Sequence, residues 1–450
     1  MTKNLTEGFP AKLILQFAVP LLIGNLFQQL YSMADMLIVG RTIGVNALAA
    51  VGCTGSITFF ILGFAMGVTA GLSILTAQRF GAGDERGVKR SFATGAQISM
   101  VVTAGLTVLA VPTTRLILEA MNTPAEIIDD AYAYLFVIFV GIFASMLFNF
   151  LSNIIRALGD SRMPLIFLVV ACVVNIVLDY ALIRGAGMGV EGAAVATVAS
   201  QVFSGVLCLV YIWKRMPILH LSKSDWRSTQ SEMKHHLLVS VPMGFQMSII
   251  AIGTIVLQAV LNGLGALAVA AFSAASKIDM MANLPLSSFG TAMATYVAQN
   301  YGAGLVQRIR QGVFQCCLMS LAFSVAIGLV NILAGYQLAG VFVGSSEPQL
   351  QSLAQTYLRI TGALYWVLAL LYVFRNTLQG LGDSLVPTIA GVMELIMRTF
   401  AAVVLASFMG FAGACWAGPL AWIGACAPMA VAYVRSVRKL EKKYGGPRAA

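Results

Sequence analysis

The sequence predicts an all-α membrane protein with twelve transmembrane helices in two pseudo-symmetric bundles of six. Hydrophobic residues make up 59% of the 450-residue chain and charged residues only 10%, whereas soluble domains carry about 25% charged residues. In lipid only helices and closed barrels satisfy the backbone, and the apolar runs of this chain are too long for barrel strands. Short motifs also return in the second half of the chain at a nearly constant displacement.

Polar breaks divide the apolar sequence into twelve runs. A helix needs about 20 residues to cross a bilayer, and each run is approximately that long or longer. The expected spans are residues 13–39, 47–77, 92–112, 127–155, 164–184, 190–213, 237–262, 267–298, 312–334, 352–378, 386–408 and 411–434. Pro20 and Pro242 lie inside the first span of each half and are expected to bend it.

Internal repeats define the predicted domains. Residues 77–83 return as 298–304, residues 158–161 as 381–384, and Val19-Pro20 as Val241-Pro242, at displacements of 221, 223 and 222 positions. We therefore predict an N-lobe of residues 1–213, a cytoplasmic linker of residues 214–236 and a C-lobe of residues 237–450 with a basic cytoplasmic tail. Six spans are an even number, so both halves point the same way, and the substrate path is expected between or within them.

Charge and cysteine usage restrict partners and location. Most of the 28 Lys and Arg residues fall in alternate loops or tails, which predicts that both termini are cytoplasmic and that the chain lies in the inner membrane. The formal charge of +10 does not indicate nucleic acid, because the basic residues occupy short loops instead of a domain. The seven cysteines lie in or beside spans without a CxxC pair, so neither a disulfide framework nor a zinc site is expected.

Asp35 lies inside the first predicted span. An ionised side chain at bilayer depth costs about 2.5–3.5 kcal/mol on insertion scales, so it usually faces a cavity, a partner or a cation. Gln28 and Tyr31 precede it at helical spacing and share its face. This stripe predicts one wall of a wet cavity. The alternative is a single buried acid that braces a neighbouring helix.

A second intramembrane acid, Asp179, lies one helical turn after Asn175, and Thr197 supplies a hydroxyl on the next span. If these groups converge with Asp35, they form an oxygen-rich pocket for Na⁺ or a shared proton. Two close carboxylates at low dielectric cannot both stay ionised cheaply. The alternative is a pair of structural acids bonded to their neighbours.

Other polar residues inside spans are interpreted from their spacing and position. Asn149 and Asn153 line the same cavity or merely cap the fourth span. Lys277 and Asp279 are two positions apart and share no helical face, whereas Glu394 and Arg398, at i and i+4, are expected to pair with each other. Asp160 and Asp383 of the repeated Leu-Gly-Asp-Ser loops are interpreted as caps of the following helices.

The motifs of an enzyme are absent from the sequence. There is no HExxH, GxSxG or Walker A lysine, so no catalytic residue or cofactor is expected and an ATP-driven pump is disfavoured.

These motifs resemble those of the MATE (multidrug and toxic compound extrusion) transporters over essentially the whole chain. The likeness rests on Tyr31-x3-Asp35 leading to Val39-Gly40, on the repeated Ala-Gln-x-x-Gly-Ala-Gly and Leu-Gly-Asp-Ser segments, and on Asn175-x3-Asp179 followed by Gly192-Ala193-Ala194. The resemblance implies two lobes arranged as a V that export organic, often cationic, compounds in exchange for H⁺ or Na⁺. It places the cation site on Asp35, Asn175, Asp179 and Thr197, with Gln28 and Tyr31 lining the same cavity.

The chain departs from one branch of that family. NorM-like Na⁺-driven transporters carry carboxylates in the seventh and tenth helices, and residues 237–262 and 352–378 contain no acid. The sequence is closer to the DinF-like branch, in which the N-lobe acids couple transport to the ion.

We therefore expect a monomeric secondary active exporter of small amphipathic molecules, driven by H⁺ or Na⁺, in contact with membrane lipids. One alternative is a flippase for a lipid-linked oligosaccharide, which should have several unpaired basic residues in its cavity, whereas Lys277 and Arg398 are the ones placed well inside spans. Another is a receptor or scaffold that transports nothing, which leaves the buried acids unexplained.

Overall fold

The computed structural model describes residues 4–121, 123–343 and 347–444, and the secondary structure of these residues is helical throughout. The helices are α1 (Pro10–Thr42), α2 (Val45–Gly81), α3 (Glu85–Ala120), α4 (Ile128–Val140), α5 (Ile142–Ala157), α6 (Arg162–Asp179), α7 (Val190–Arg215), α8 (Gln230–Gly263), α9 (Ala266–Gly302), α10 (Val306–Val343), α11 (Pro348–Gly380), α12 (Leu385–Phe400), α13 (Ala406–Met409), α14 (Phe411–Cys415) and α15 (Ala417–Tyr444).

Ten helical stretches within the described residues are long and apolar enough to cross a membrane. The α4–α5 pair, bent by 47° at Gly141, adds an eleventh and corresponds to the predicted span 127–155. A Cβ atom at Gly141 would meet the side chain of Val198, so α7 packs closely against the bend. The 37-residue α9, which carries Lys277 and Asp279, corresponds to the predicted span 267–298.

Two of the spans contain π-helical turns. The turn Tyr180–Gly185 directly follows α6, and the turn Ala401–Leu405 directly follows α12. Such turns carry an extra residue in the helical register and often occur at functional sites. In this chain they occur at matching places in the two sequence repeats, one of them immediately after Asp179.

The described residues divide into two compact units. Unit 1 contains residue 4 and the described residues of 20–248, and unit 2 contains residues 5–19 and the described residues of 249–444. The divisions fall inside α1 and α8.

The linker belongs to unit 1 because it is bonded to α2 and α3. Gln97 Nε2 donates to the carbonyl of Trp226 at 2.8 Å, and Arg79 pairs with Glu232 at 3.0 Å. His236 Nε2 lies 2.9 Å from the Ser91 hydroxyl. Since these contacts continue into the start of α8, the first turns of α8 remain with unit 1.

Within unit 1, α2 approaches α8 at two glycines. A Cβ atom at Gly67 would meet the backbone of Met243, and one at Gly71 would meet the backbone of Ser240. Small residues of this kind let helix backbones come close together in membrane proteins.

Within unit 2, the start of the chain is held against α9 and α10. Leu5 is almost fully buried, and its backbone N–H donates to Gln299 Oε1 at 2.9 Å. Arg308 donates to the carbonyl of Gly8 at 2.9 Å. Residues 5–9 are therefore an integral part of this unit.

The repeated Leu-Gly-Asp-Ser loops have the predicted capping role. Asp160 Oδ1 accepts from the backbone N–H groups of Arg162 and Met163 at 3.0 and 3.2 Å. Asp383 Oδ1 accepts from Val386 at 3.3 Å. The interpretation of these two acids as structural is confirmed.

Candidate functional site

Unit 1 brings together the two intramembrane acids that the sequence singled out. Asp35 lies in the second half of α1 and Asp179 is the last residue of α6; their exposed fractions are 7% and 0%. Their carboxyl groups lie close enough to interact electrostatically. An ionised carboxylate only accepts, so a hydrogen bond between the two groups forms only when one of them carries a proton.

Asn175 and Thr197 complete this acid pair. With its amide oriented to satisfy both neighbours, Asn175 donates to Asp179 Oδ2 at 3.0 Å and accepts from the Thr197 backbone N–H at 3.2 Å. Tyr31 donates its hydroxyl to Thr197 Oγ1 at 3.1 Å. The four predicted residues and Tyr31 thus form one cluster at the junction of α1, α6 and α7, which we call the acid cluster.

The acid cluster retains polar atoms without partners. Oδ1 of Asp35 and Oδ1 of Asp179 are buried and have no hydrogen-bond partner. Buried polar groups without partners are rare in proteins and call for an explanation such as an absent ion or water. The cluster therefore has free oxygen ligands of the type that a proton or a hard cation such as Na⁺ takes.

Two residues near the acid cluster escaped the sequence analysis. The buried ring of Tyr134 on α4 interacts electrostatically with Asp35, Asp179 and Tyr31. Ser200, one turn after Thr197, lies near Tyr31 and donates its hydroxyl to the Thr197 carbonyl at 2.9 Å. The spacing of Ser200 from Thr197 could have indicated it, whereas Tyr134 lies in an apolar run that carries no such signal.

The remaining predicted residues of the first half lie apart from this cluster or are turned away. Gln28 is exposed. Asn149 donates to the Ser145 carbonyl of its own helix at 2.8 Å. Asn153 belongs to a separate polar group, in which it donates to Thr69 Oγ1 and accepts from Arg156, both at 3.3 Å.

The expected pairing of Glu394 with Arg398 is wrong. Glu394 forms its ion pair with Arg375 of α11, and both side chains are buried. Residues at i and i+4 can pair on an exposed helix, but here a buried guanidinium on a neighbouring helix competes for the carboxylate and excludes the local partner. Arg375 is a further buried basic residue, which the sequence analysis did not single out.

Lys277 and Asp279 lie on different faces of α9, as their spacing predicts. Lys277 is exposed, whereas Asp279 accepts from the hydroxyl of Tyr365 at 2.6 Å and from Asn283 at 2.9 Å. The second half therefore holds its own buried polar network.

This network borders a cavity of about 250 Å³ inside unit 2. Four charged residues line it: Asp279, Arg375, Glu394 and Arg398. Aromatic walls are supplied by Phe272, Tyr357, Tyr372 and Trp422. We refer to it below as the arginine cavity.

The described residues contain no group of three or more His, Cys, Asp or Glu side chains placed to hold a metal ion. The acid cluster offers oxygen atoms, four of them from the carboxyl groups of Asp35 and Asp179, and such hard ligands suit H⁺ or Na⁺ better than a transition metal.

Comparisons with known proteins cover most of the chain. The family model described as MatE matches residues 20–181 and 242–418. The probable multidrug resistance protein YpnP of Bacillus subtilis (strain 168) is 27% identical over 384 residues, which are 85% of each chain. The probable multidrug resistance protein NorM of Thermotoga maritima is 27% identical over 84% of this chain and 82% of its own length.

Solved structures have the same fold. A crystal structure of MATE in the bent conformation aligns with a TM-score of 0.90 over 98% of each chain at 24% sequence identity. An outward-facing multidrug resistance transporter of the MATE family aligns with a TM-score of 0.86 over 99% of this chain and 98% of that one.

Proposed function

Because the chain belongs to the MatE family, we propose that it is a secondary multidrug efflux transporter that exports amphipathic organic molecules in exchange for protons. Its relatives are named as probable multidrug resistance proteins, and their matches extend over more than four-fifths of both chains. The protein is an integral membrane transporter and not an enzyme.

The observation that supports proton coupling is the proximity of the two buried carboxyl groups of Asp35 and Asp179. One proton between two buried carboxyl groups offsets their repulsion at low dielectric. Loss of that proton leaves two negative charges in contact and favours a rearrangement of α1 against α6. A ligand shifts a conformational equilibrium only through different affinity for its states, so the proton drives transport by binding one state of the acid cluster better than the other.

Neighbouring residues support this exchange in distinct ways. Asn175 donates to Asp179 and so stabilises its ionised form, and Tyr31 with Thr197 ties α1 to α7 beside the acids. The same oxygens are also ligands of the type Na⁺ takes, and Na⁺ is the alternative outcome of the experiment below.

The test is efflux of ethidium from proteoliposomes with a pH gradient or a Na⁺ gradient imposed separately. We expect the pH gradient alone to drive efflux, and Asp35→Asn and Asp179→Asn each to reduce the rate to the level of empty liposomes. Asp130→Asn, which changes an exposed acid of α4, is the matched control and keeps the wild-type rate. Wild-type transport in both acid variants would refute the assignment, and efflux driven by Na⁺ alone would replace the proton with Na⁺.

We further propose that the chain works as a monomer in the inner membrane with both termini in the cytoplasm. The support is the concentration of basic residues in alternate loops and in the linker. Fusions of green fluorescent protein and of alkaline phosphatase to the C-terminus test the orientation, because the first is fluorescent only in the cytoplasm and the second is active only outside it.

A further inference from the structure

The arginine cavity in unit 2 has a role that proton coupling through Asp35 and Asp179 does not explain. Both acids that line the cavity already have partners. Glu394 is paired with Arg375, and Asp279 accepts from Tyr365 and Asn283. Among the described residues Arg398 has no carboxylate partner, although it lines the cavity. The two acids and two arginines of the cavity balance in formal charge, but the guanidinium of Arg398 is left without an ion pair.

The second arginine also has unused donor capacity. Arg375 is 8% exposed, and its Nε atom is buried without a hydrogen-bond partner. An Arg guanidinium presents five N–H donors and matches the oxygens of a carboxylate or phosphate group. A buried donor left without an acceptor is costly, so an anion bound beside it would stabilise this wall.

The sequence repeats relate two residues that line the arginine cavity, Arg398 and Leu257, to two residues of the acid cluster. Arg398 lies 223 positions after Asn175, the displacement that relates the two Leu-Gly-Asp-Ser loops. Leu257, which also lines the cavity, lies 222 positions after Asp35, the displacement that relates Val19-Pro20 to Val241-Pro242. At these two positions the second repeat therefore has leucine in place of an acid and arginine in place of an amide.

The position of Arg398 depends on a glycine of α8. A Cβ atom at Gly253 would lie 3.0 Å from Arg398 Nη1 and 3.2 Å from its Cδ. Because Gly253 has no side chain, the guanidinium of Arg398 has space at the cavity wall, which Thr254 also lines.

We propose that the arginine cavity binds the anionic group, a carboxylate or a phosphate, of the exported molecule, with Arg398 as the contacting cation. The inference rests on the proposed export function and specifies its substrates as zwitterionic or anionic amphipaths. At about 250 Å³ the cavity is smaller than the ~300–1,000 Å³ of pockets that enclose a whole drug-sized ligand, so it takes the anionic end of the molecule against Tyr372 and Trp422.

The experiment measures equilibrium binding to the purified full-length chain in detergent. The carboxylate probe is fluorescent norfloxacin, and its partner is norfloxacin methyl ester, which has the same rings and amine but no anion. The phosphate probe is 4-methylumbelliferyl phosphate, compared with 4-methylumbelliferone. Dihexanoyl phosphatidic acid is added as a competitor, because its displacement of both anionic probes at low concentration would assign the site to a lipid headgroup.

Arg398→Gln is expected to weaken binding of at least one anionic probe about tenfold or more, the loss expected for a hydrogen-bonded charge, and to change binding of the partner that lacks the anion less than twofold. Arg398→Lys keeps the charge and should retain part of the affinity. Gly253→Ala should weaken binding of the anionic probe, because the added methyl group displaces the guanidinium of Arg398. Arg359→Gln, at an exposed arginine of α11, is the matched control and should bind as the wild type does.

The proposal is overturned if the ester and the uncharged coumarin bind the wild type as tightly as the anions, or if Arg398→Gln weakens both members of a pair equally. If Arg398→Gln does not fold, the lysine and Gly253 variants decide by the same criterion. Binding at equilibrium needs no gradient, so failure of proton-driven efflux with intact Arg398-dependent binding refutes only the transport mechanism, and the reverse result refutes only the anion site.

Discussion

The hydroxyl of Tyr31 donates to Oγ1 of Thr197 over 3.1 Å and so joins α1 to α7 beside the two intramembrane acids. Asp35, on the same helix as Tyr31, interacts electrostatically with Asp179 at the end of α6. Movement of α1 against α6 and α7 therefore has to break or exchange both contacts.

Tyr31→Phe removes this donor and leaves the ring in place. We expect a loss of about 0.5–1.5 kcal/mol in the free energy of unfolding and slower, but not abolished, ethidium efflux, because the acids remain. Thermal unfolding in detergent and efflux from proteoliposomes measure the two effects. Tyr336→Phe, at an exposed tyrosine of α10, is the control, and equal behaviour of the two variants would contradict a positioning role for Tyr31.

The acid pair is expected to act as one unit. Asp35→Asn and Asp179→Asn should each abolish proton-driven efflux, and the double variant should be no worse than either single variant, because residues that share one proton are not additive. Initial rates over a range of imposed pH gradients test this. Residual efflux in one single variant that disappears in the double variant would show that the acids act separately.

Glu394→Gln leaves the buried guanidinium of Arg375 without its counter-ion. We expect destabilisation of about 3–5 kcal/mol, the usual effect of removing one partner of a buried pair. The double variant Arg375→Met and Glu394→Met should recover most of that loss, since it removes both charges. The midpoints of thermal unfolding of the single and double variants give the answer, and a double variant as unstable as Glu394→Gln would exclude this account.

Gly67→Ala inserts a methyl group where α2 touches the backbone of Met243 in α8. Backbone yields less readily than a flexible side chain, so we expect about 1–3 kcal/mol of destabilisation. At Gly105 of α3 a Cβ atom meets open space, and Gly105→Ala should be neutral or slightly stabilising. Equal unfolding midpoints for the two variants would argue against a close contact at Gly67.

The fold followed from the sequence because hydrophobic length is a direct physical requirement of the bilayer. The span at residues 127–155 and the repeats could be recognised from composition and motif alone. The α4–α5 bend could not, because it depends on the approach of Val198 to Gly141, two residues far apart in the chain. The unit boundaries inside α1 and α8 depend likewise on packing between distant segments.

The acid cluster was predictable in its members because a carboxylate inside an apolar span requires a partner. Asp35, Asn175, Asp179 and Thr197 could be selected for that reason, and the proposal that they bind the coupling ion is a prediction. The error concerned Glu394, for which local spacing suggested Arg398. Helical spacing describes neighbours on one helix, whereas Arg375 reaches Glu394 from another helix.

The π-helical turn after Asp179 carries one extra residue, so a one-residue deletion there would change the direction of the chain beyond it. Removing a residue from Tyr180–Gly185 would let the backbone close as ordinary α-helix, with no carbonyl left unbonded. The segment beyond the turn would then rotate by about 100° relative to α6. An evolutionary loss of one codon could thus redirect the residues leading into α7 while the acids of the first bundle stay where they are.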